Sequence, residues 1–301
     1  MKRFHFFLFI AVMCLALSCS KNSDSNDDDR VVTVDKRENL LASGDSGADI
    51  LSNTNYDRLL IEIGFVTGFR PTTAAMTEFI DFLRARTFKE DIEILYTELD
   101  SPAEDDLTLE EIARLESENR TAYTSDGTLA IYIYFADAPA EGDDLEEGLV
   151  TLGAVYRNTS MIIHEATIRE LASRSFRISD ADVESATLNH EFGHLFGLVN
   201  LGTDMVNDHE SQSENEDGEL EGDKHCNVAG CLMRAELQFG GPTGKSSKAD
   251  VKSVYANGMD AGCIVSGNSI LSLLNSTTAR GSAAVDLDTQ CILDLRANGG
   301  R

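Results

Sequence analysis

The sequence predicts an α+β fold in which a sheet with its helices comes first and a smaller irregular C-terminal lobe follows. Apolar runs of strand length alternate with stretches of helical spacing between residues 59 and 136. This β-α-β order favours parallel neighbouring strands joined by right-handed crossovers. Residues 200–224 form a polar, acid-rich insertion, and only short helices are predicted after it, which is typical of an irregular lobe.

The individual elements follow from local patterns. Strands are predicted at 59–66, 92–99, 128–136, 151–156 and 160–164, and helices at 72–86, 107–119, 179–196, 247–256 and 286–296. Segment 128–136 has the strongest strand pattern, because β-branched and aromatic residues dominate it. Segment 151–156 fits either an edge strand or an interior strand. Ser179 is the expected N-cap of the helix that follows it, with acidic residues in the first turn.

The N-terminus has the pattern of an export signal. Lys2 and Arg3 precede an apolar run at 6–17 that is too short to span a bilayer as a permanent helix. The run ends in Ala16-Leu17-Ser18-Cys19, which resembles a bacterial lipobox. The resemblance implies that residues 1–18 are a signal peptide and that Cys19 carries a lipid anchor to a membrane. An ordinary cleaved signal with an incidental cysteine is the alternative.

Residues 19–54 are predicted to be an acidic, flexible tether, since Asp, Asn, Ser and Gly dominate them. The acidic tract after Cys19 resembles the surface-export signal of Bacteroidetes lipoproteins. It implies a location at the bacterial outer membrane or cell surface, and the periplasmic face remains open. The folded domain is expected at residues 55–301.

Charge and composition exclude one class of partner. The chain has 52 acidic and 25 basic residues, for a formal net charge of −27. Nucleic acid binding requires concentrated Lys and Arg, so we expect no nucleic-acid partner. At 42% hydrophobic residues, the chain has enough apolar material for an ordinary globular core.

One helix carries a metal-binding pattern. His190 and His194 are four residues apart and therefore lie on the same face, where their ring nitrogens can share a tetrahedral zinc ion. Glu191 lies beside that position. There it can accept a proton from a metal-bound water and pass it to a leaving amine. Gly197, three residues after the second histidine, lets the chain leave the helix through a positive-φ turn.

The run His190-Glu191-Phe192-Gly193-His194-Leu195-Phe196-Gly197 resembles the HExxHxxG core of the metzincin metallopeptidases. The resemblance implies a metzincin-like mixed sheet with an active-site helix, and zinc-dependent cleavage of a peptide or protein substrate. In metzincins an upper edge strand pairs with the substrate, and segment 151–156 is the candidate for it. Metzincins place a third ligand where this chain has Asn200, which is a poor zinc ligand.

The third ligand is therefore expected after the insertion. His225-Cys226-Asn227-Val228-Ala229-Gly230-Cys231-Leu232-Met233 resembles the HCxxxxCxM segment of archaemetzincins. This resemblance implies that His225 is the third zinc ligand and that Met233 is the Met-turn residue beneath the metal. His209 is the alternative third ligand. Archaemetzincins also carry a later CxxC motif, which this chain lacks.

Four cysteines remain after Cys14 of the signal and Cys19. In an oxidising compartment, an even number favours disulfides, and we predict Cys226–Cys231 and Cys263–Cys291. A zinc site made of all four thiolates is the alternative.

The predicted function is a lipid-anchored extracytoplasmic zinc metallopeptidase in which Glu191 activates the zinc-bound water. The main alternative is a catalytically inactive zinc-binding surface lipoprotein of the same fold. A gluzincin-type peptidase is disfavoured by Gly197, because that class continues its helix past the second histidine.

Overall fold

A six-stranded mixed sheet organises the computed structural model, which describes residues 34–143, 150–176, 178–214, 218–234, 263–266 and 285–301. Its strands are β1 (Arg58–Val66), β2 (Asp91–Leu99), β3 (Thr128–Phe135), β4 (Thr151–Arg157), β5 (Ser160–Ile163) and β8 (Cys263–Ser266), while β6 and β7 form a separate hairpin described below. The sheet has the order β2-β1-β3-β5-β4-β8. The first three strands and β5 are parallel, whereas β4 is antiparallel to both β5 and β8. The predicted mixed α+β fold class is confirmed.

The parallel strands pair in a continuous register. Ile61 of β1 lies between Ile94 of β2 and Ile131 of β3. β1 and β3 are almost wholly buried, as expected of parallel strands covered on both faces. β2 lies at the edge of the sheet, and most of its side chains are only partly buried or exposed. The strongest apolar runs of the sequence therefore form the centre of the sheet.

Six α-helices surround the sheet in the described residues: α1 (Gly47–Leu51), α2 (Thr73–Arg86), α3 (Leu109–Asn119), α4 (Glu165–Ser173), α5 (Asp180–Leu195) and α6 (Thr289–Ala297). Their starts follow the local chemistry of the chain. Thr72 caps α2, and reciprocal capping boxes start α3 at Thr108 and α5 at Ser179. The cap at Ser179 is the one that the sequence predicted.

The core has two parts, one on each face of the sheet. On one face, α2 and α5 pack together through Phe79 and Phe192, whose ring centroids are 4.8 Å apart. On the other face, α3 packs through Ile112 and Leu115 against Tyr132, Tyr134 and Tyr156 of the sheet. The first of these two cores holds α5 in place behind β4 and β5.

Several predicted elements differ from the structure. α4 and β8 were not predicted, and the insertion contains an antiparallel hairpin of β6 (Glu210–Glu214) and β7 (Leu220–Cys226). Segment 151–156 is an interior strand, because β8 pairs with the side of β4 that faces away from β5. The helix predicted at 247–256 lies outside the described residues.

The folded part of the chain begins before the predicted boundary at residue 55. Asn39 is fully buried, and its side-chain amide donates to Thr124 Oγ1, Ala130 O and Thr159 Oγ1 at 2.9–3.0 Å. Ile50 and Leu51 of α1 are fully buried in the main core. Residues from Asp35 onward belong to one compact unit with the rest of the fold.

The predicted signal peptide and Cys19 lie outside the described residues. Among the helices of the described residues, none has the length and apolar character needed to cross a membrane.

Candidate active site

Helix α5 brings two histidines together inside the core. His190 and His194 lie one turn apart on the helix, and both are fully buried. Their ring centroids are 4.9 Å apart and their Nε2 atoms are 3.1 Å apart. The helix is buried continuously from Val183 to its end, so its polar side chains face the protein interior. Buried imidazoles in contact are costly unless a partner satisfies them.

The end of α5 turns as the sequence predicted, but Asn200 does not join the histidines. Gly197 has φ +80°, and a Cβ there would lie 2.7 Å from Thr203 Oγ1. Val199 and Asn200 also have positive φ, so the chain leaves the helix through a sharp reversal. The Asn200 side-chain amide instead donates to Glu210 Oε2 at 2.6 Å. Asn200 thus links the residues that follow α5 to Glu210 in the insertion.

The β6–β7 hairpin returns the chain to α5 and delivers His225. The ring centroid of His225 lies 5.4 Å from that of His190 and 5.3 Å from that of His194. One ring nitrogen from each of the three histidines lies within 4.8 Å of the others. His209 lies elsewhere, with Nε2 3.4 Å from Asp294 Oδ2. The structure therefore groups His225, and not His209, with the pair on α5.

Backbone carbonyls orient two of the three rings. Nδ1 of His190 donates to Leu232 O at 2.7 Å, and Nδ1 of His225 donates to Asp223 O at 2.7 Å. Because a carbonyl can only accept, the proton sits on Nδ1, and Nε2 carries the lone pair with which a neutral imidazole binds a metal. Nδ1 of His194 is buried without a hydrogen-bond partner among the described residues.

The three imidazoles are neutral at physiological pH. Burial lowers the pKa of His190 to about 3 and that of His225 to about 4. Burial also lowers the pKa of His194 well below its ordinary value, and the neighbouring histidines add to the effect. Neutral imidazole is the form that binds a metal.

Glu191 lies fully buried between α5 and β4. A Cβ at Gly153 would be 3.0 Å from Glu191 Cγ, so β4 approaches the side chain closely because it has glycine there. Burial raises the pKa of Glu191 well above its ordinary value, and the Val155 backbone N–H opposes that shift. Neither carboxylate oxygen makes a well-formed hydrogen bond within the described part of the chain. A buried carboxyl of this kind is typical of catalytic positions.

Met233 packs directly under α5. A Cβ at Gly193 would lie 2.1 Å from Met233 Sδ, so the methionine occupies the space that glycine leaves on the helix. Met233 O accepts from the Cys226 N–H at 2.7 Å, which closes the loop that carries both residues. The side chain predicted as the Met-turn residue therefore contacts the helix that carries His190 and His194.

A second cluster lies beside the first one. Cys226, Cys231, Cys291 and the carboxylate of Asp288 each offer an atom within 4.8 Å of the others. Cys226 Sγ is 3.0 Å from Asp288 Oδ2, and Cys231 Sγ is 3.5 Å from Cys291 Sγ. Asp288 is also the N-cap of α6 and accepts from the Gln290 and Cys291 N–H groups.

The disulfide prediction is wrong. Cys226, Cys231 and Cys291 are free thiols. The reason is that α6 inserts Cys291 next to Cys231, while Cys226 faces the carboxylate of Asp288. Among the described side chains, the cluster holds three of the four thiols together with Asp288, and the side chain of Cys263 lies outside the described ones. The Asp288-x-x-Cys291 spacing could have revealed this role, since it equals the CxxC spacing with one thiol replaced by a carboxylate.

The structure thus defines a three-histidine candidate metal centre with a buried glutamate on an α+β scaffold. No family model matches the sequence, and no curated protein matches it. Among solved structures, the chain is similar to archaemetzincin (amzA) from Methanopyrus kandleri. That comparison has 12% sequence identity and a TM-score of 0.42, and it covers 80% of this chain and 96% of the other.

Proposed function

We propose that the protein is a zinc metallopeptidase in which His190, His194 and His225 hold the ion and Glu191 is the general base. The observation that carries this proposal is the convergence of three neutral, buried imidazoles beside a buried carboxyl. The HExxHxxG pattern of residues 190–197 supports a peptide or protein as the substrate.

The three histidines fit a zinc ion. Zinc–nitrogen bonds of about 2.0–2.1 Å in tetrahedral geometry separate ligand nitrogens by roughly 3.3 Å. The Nε2 atoms of His190 and His194 are 3.1 Å apart, which is close to that separation. The Nε2 lone pairs would repel one another without a cation or a proton between them. When bound, zinc supplies Lewis-acid polarisation of a peptide carbonyl and increases the acidity of water.

The protein's own groups then have defined roles. Leu232 O and Asp223 O hold Nδ1 of His190 and of His225, so that Nε2 of each ring is the atom that would bind the ion. Glu191 takes a proton from the attacking water and returns it to the leaving amine. Burial raises the pKa of Glu191, and positive charge in the centre opposes that shift.

We also propose that the cluster of Cys226, Cys231, Cys291 and Asp288 holds a second, structural metal ion. Three thiols and one carboxylate at mutual ligand distance are a donor set that suits zinc. Cys226 and Cys231 flank the loop that links His225 to Met233, so this ion would stabilise the loop that carries the third histidine.

The cellular setting remains part of the proposal. Lys2, Arg3, the apolar run 6–17 and Cys19 support export and lipid anchoring at the outer membrane or cell surface.

Replacing the proposed base tests the function. Glu191→Gln keeps the size of the side chain but cannot accept the proton, so peptide-library hydrolysis should fall by about 10²–10⁴-fold while zinc stays bound. Glu98→Gln, at an exposed position on β2, is the matched control and should retain full activity.

Metal analysis of His225→Ala and His209→Ala should show loss of zinc from the three-histidine centre only for His225→Ala.

Two results would contradict the proposal. One is wild-type protein that stays free of metal in excess zinc. The other is metal-loaded wild type that hydrolyses no peptide, which would favour the inactive zinc-binding protein instead.

A further inference from the structure

We propose that Glu210 is a positioning residue for the third metal ligand, because its carboxylate joins the exit of α5 to the backbone immediately before His225. The inference rests on the proposed function, in which His225 completes the metal centre. It concerns the residues that the insertion adds to this chain.

The insertion creates a structural problem at this centre. The chain leaves α5 near Asn200 and reaches His225 only after the β6–β7 hairpin, whose outer part around Leu220 is exposed. A ligand at the end of a solvent-exposed hairpin needs an anchor near its base, because an unanchored ring would spread over many orientations.

The Glu210 carboxylate provides contacts to both ends of the insertion. Its Oε2 accepts from the Asn200 side-chain amide at 2.6 Å, and its Oε1 accepts from the Lys224 backbone N–H at 2.9 Å. Lys224 Nζ lies 3.6 Å from Oε1. The Glu210 side chain is only 10% exposed, so water competes little for these contacts. Gly222 makes room for the carboxylate, since a Cβ there would lie 2.3–2.5 Å from it.

The contact to Lys224 acts on an unfavourable backbone conformation. Lys224 has φ +63°, in the left-handed region that lysine rarely adopts. This turn brings Asp223 against His225, two residues further on, so that Asp223 O accepts from His225 Nδ1 and Asp223 Oδ1 accepts from the His225 N–H. The hydrogen bond from Lys224 N–H to Glu210 stabilises the turn, and the turn sets the ring of His225.

Asn200 completes the arrangement from the other side. It too has positive φ, at +58°, and it stands three residues after Gly197. Its amide nitrogen is bound to Glu210, so the exit of α5 and the backbone before His225 share one carboxylate. Asn200 does not bind the metal itself, but through Glu210 it helps to fix His225, the ligand that is used instead.

An exchange of acid and amide tests this role on the full chain. Glu210→Gln leaves one oxygen for two donors and turns an amide NH₂ toward the other donor. Asn200→Asp alone places two carboxylates against each other. The double variant, Asn200→Asp with Glu210→Gln, restores both contacts, because the new amide can accept from Lys224 N–H and donate to the new carboxylate. Asp208→Asn, an exposed carboxylate two residues from Glu210, is the matched control.

The readout is metal binding rather than activity. Cobalt on imidazoles gives weak visible bands that report coordination geometry, whereas cobalt on thiolates adds strong sulfur-to-metal charge-transfer bands, so the two clusters are distinguishable. Each single variant should weaken metal binding at the histidine centre by about tenfold or more and change its visible bands. The double variant should recover the parent's affinity and spectrum, and Asp208→Asn should match the parent.

Unchanged affinity and spectrum in Glu210→Gln would overturn the inference, and so would a double variant no better than the singles. Both results leave the proposed function intact. A parent that binds no metal at the histidines would overturn both proposals.

Discussion

Gly193 sets how closely the loop residue Met233 can approach the active-site helix. Alanine is favoured over glycine in a helix by about 1 kcal/mol, so Gly193→Ala would stabilise an exposed helix. Here the added methyl would meet Met233 Sδ at 2.1 Å. We expect an overpacking cost of about 1–3 kcal/mol to exceed that gain, so the free energy of unfolding should fall by up to about 2 kcal/mol, as measured by denaturant titration.

A double-mutant cycle supplies the control for that prediction. Met233→Ala in the Gly193→Ala background removes the clash, so the two changes together should cost less than the sum of the single changes. Additive costs would show that the helix and the methionine do not constrain each other.

The parts of the site whose geometry depends only on the spacing of residues along a helix were predictable from the sequence. His190 and His194 share a face because they are four residues apart, and Gly197 takes the positive φ that its position requires. For Asp288, the spacing to Cys291 is a signal in the sequence, but it does not show that the carboxylate reaches Cys226 and Cys231. Its carboxylate both caps α6 and meets the thiols, and only the packing of α6 places it there.

Helices α4 and α5 pack with two buried carboxyls between them. Glu165 on α4 is bound by Arg169 Nε at 2.7 Å, and Glu184 on α5 accepts from the Thr72 N–H. Burial raises the pKa of both glutamates, and the charge of Glu184 raises that of Glu165 further. Asp180 adds negative charge nearby, and Arg169 opposes the shifts.

These raised pKa values predict how stability depends on pH. The folded state binds protons at Glu165 and Glu184 more tightly than the unfolded state does, so this contribution to stability is full at acidic pH. It is lost as the pH rises from the ordinary carboxyl range through the raised values. Glu184→Gln keeps an acceptor for Thr72 and removes one charge. Between about pH 5 and pH 9, its unfolding free energy should fall less steeply than that of the parent.

Urea titrations across that range measure the effect. Glu170→Gln, on the exposed side of α4, should keep the slope of the parent. An unchanged slope in Glu184→Gln would mean that the pair does not titrate on unfolding.

Elements were predictable where local signals agree. Apolar runs and caps located β1 to β5, α2, α3 and α5 to within about one or two residues, which is the ordinary uncertainty of helix and strand ends. Helix α4 begins directly after β5 with no side-chain cap, and the β6–β7 hairpin has little apolar alternation. Tertiary contacts, rather than local sequence, define those elements.

In the molecule as a whole, the second cluster connects the C-terminal helix to the loop that carries the third histidine. Asp288→Asn retains a good N-cap for α6 but removes the anionic ligand. We expect the variant to bind about one zinc ion fewer per chain and to unfold at a lower temperature. Asp288→Cys should retain the ion, because a thiolate replaces the carboxylate as the fourth ligand. Metal analysis and calorimetry check both; equal zinc content in Asp288→Asn would contradict the proposed site.

The polar composition of the N-terminal segment led to a wrong prediction of where the folded domain begins, and the tertiary structure shows why. Residues 35–54 are polar enough to suggest a tether, yet Asn39 satisfies three buried groups of the sheet and its surroundings, and Ile50 and Leu51 enter the core. A few buried side chains in a polar segment leave no periodic pattern to detect. The alternation of strands and helices, in contrast, involves most of the core, which is why the fold class was predictable.

β8 lies along the outer side of β4, beside the stretch that packs against Glu191. Both hydrogen-bonding sides of β4 are therefore occupied by the chain itself, and a peptide that is to add to β4 as a strand must first displace Cys263–Ser266. A tethered segment competes at an effective concentration on the order of millimolar. Only peptides that bind β4 more tightly than Cys263–Ser266 does, or that reach the site at high local concentration, would therefore bind there as a strand.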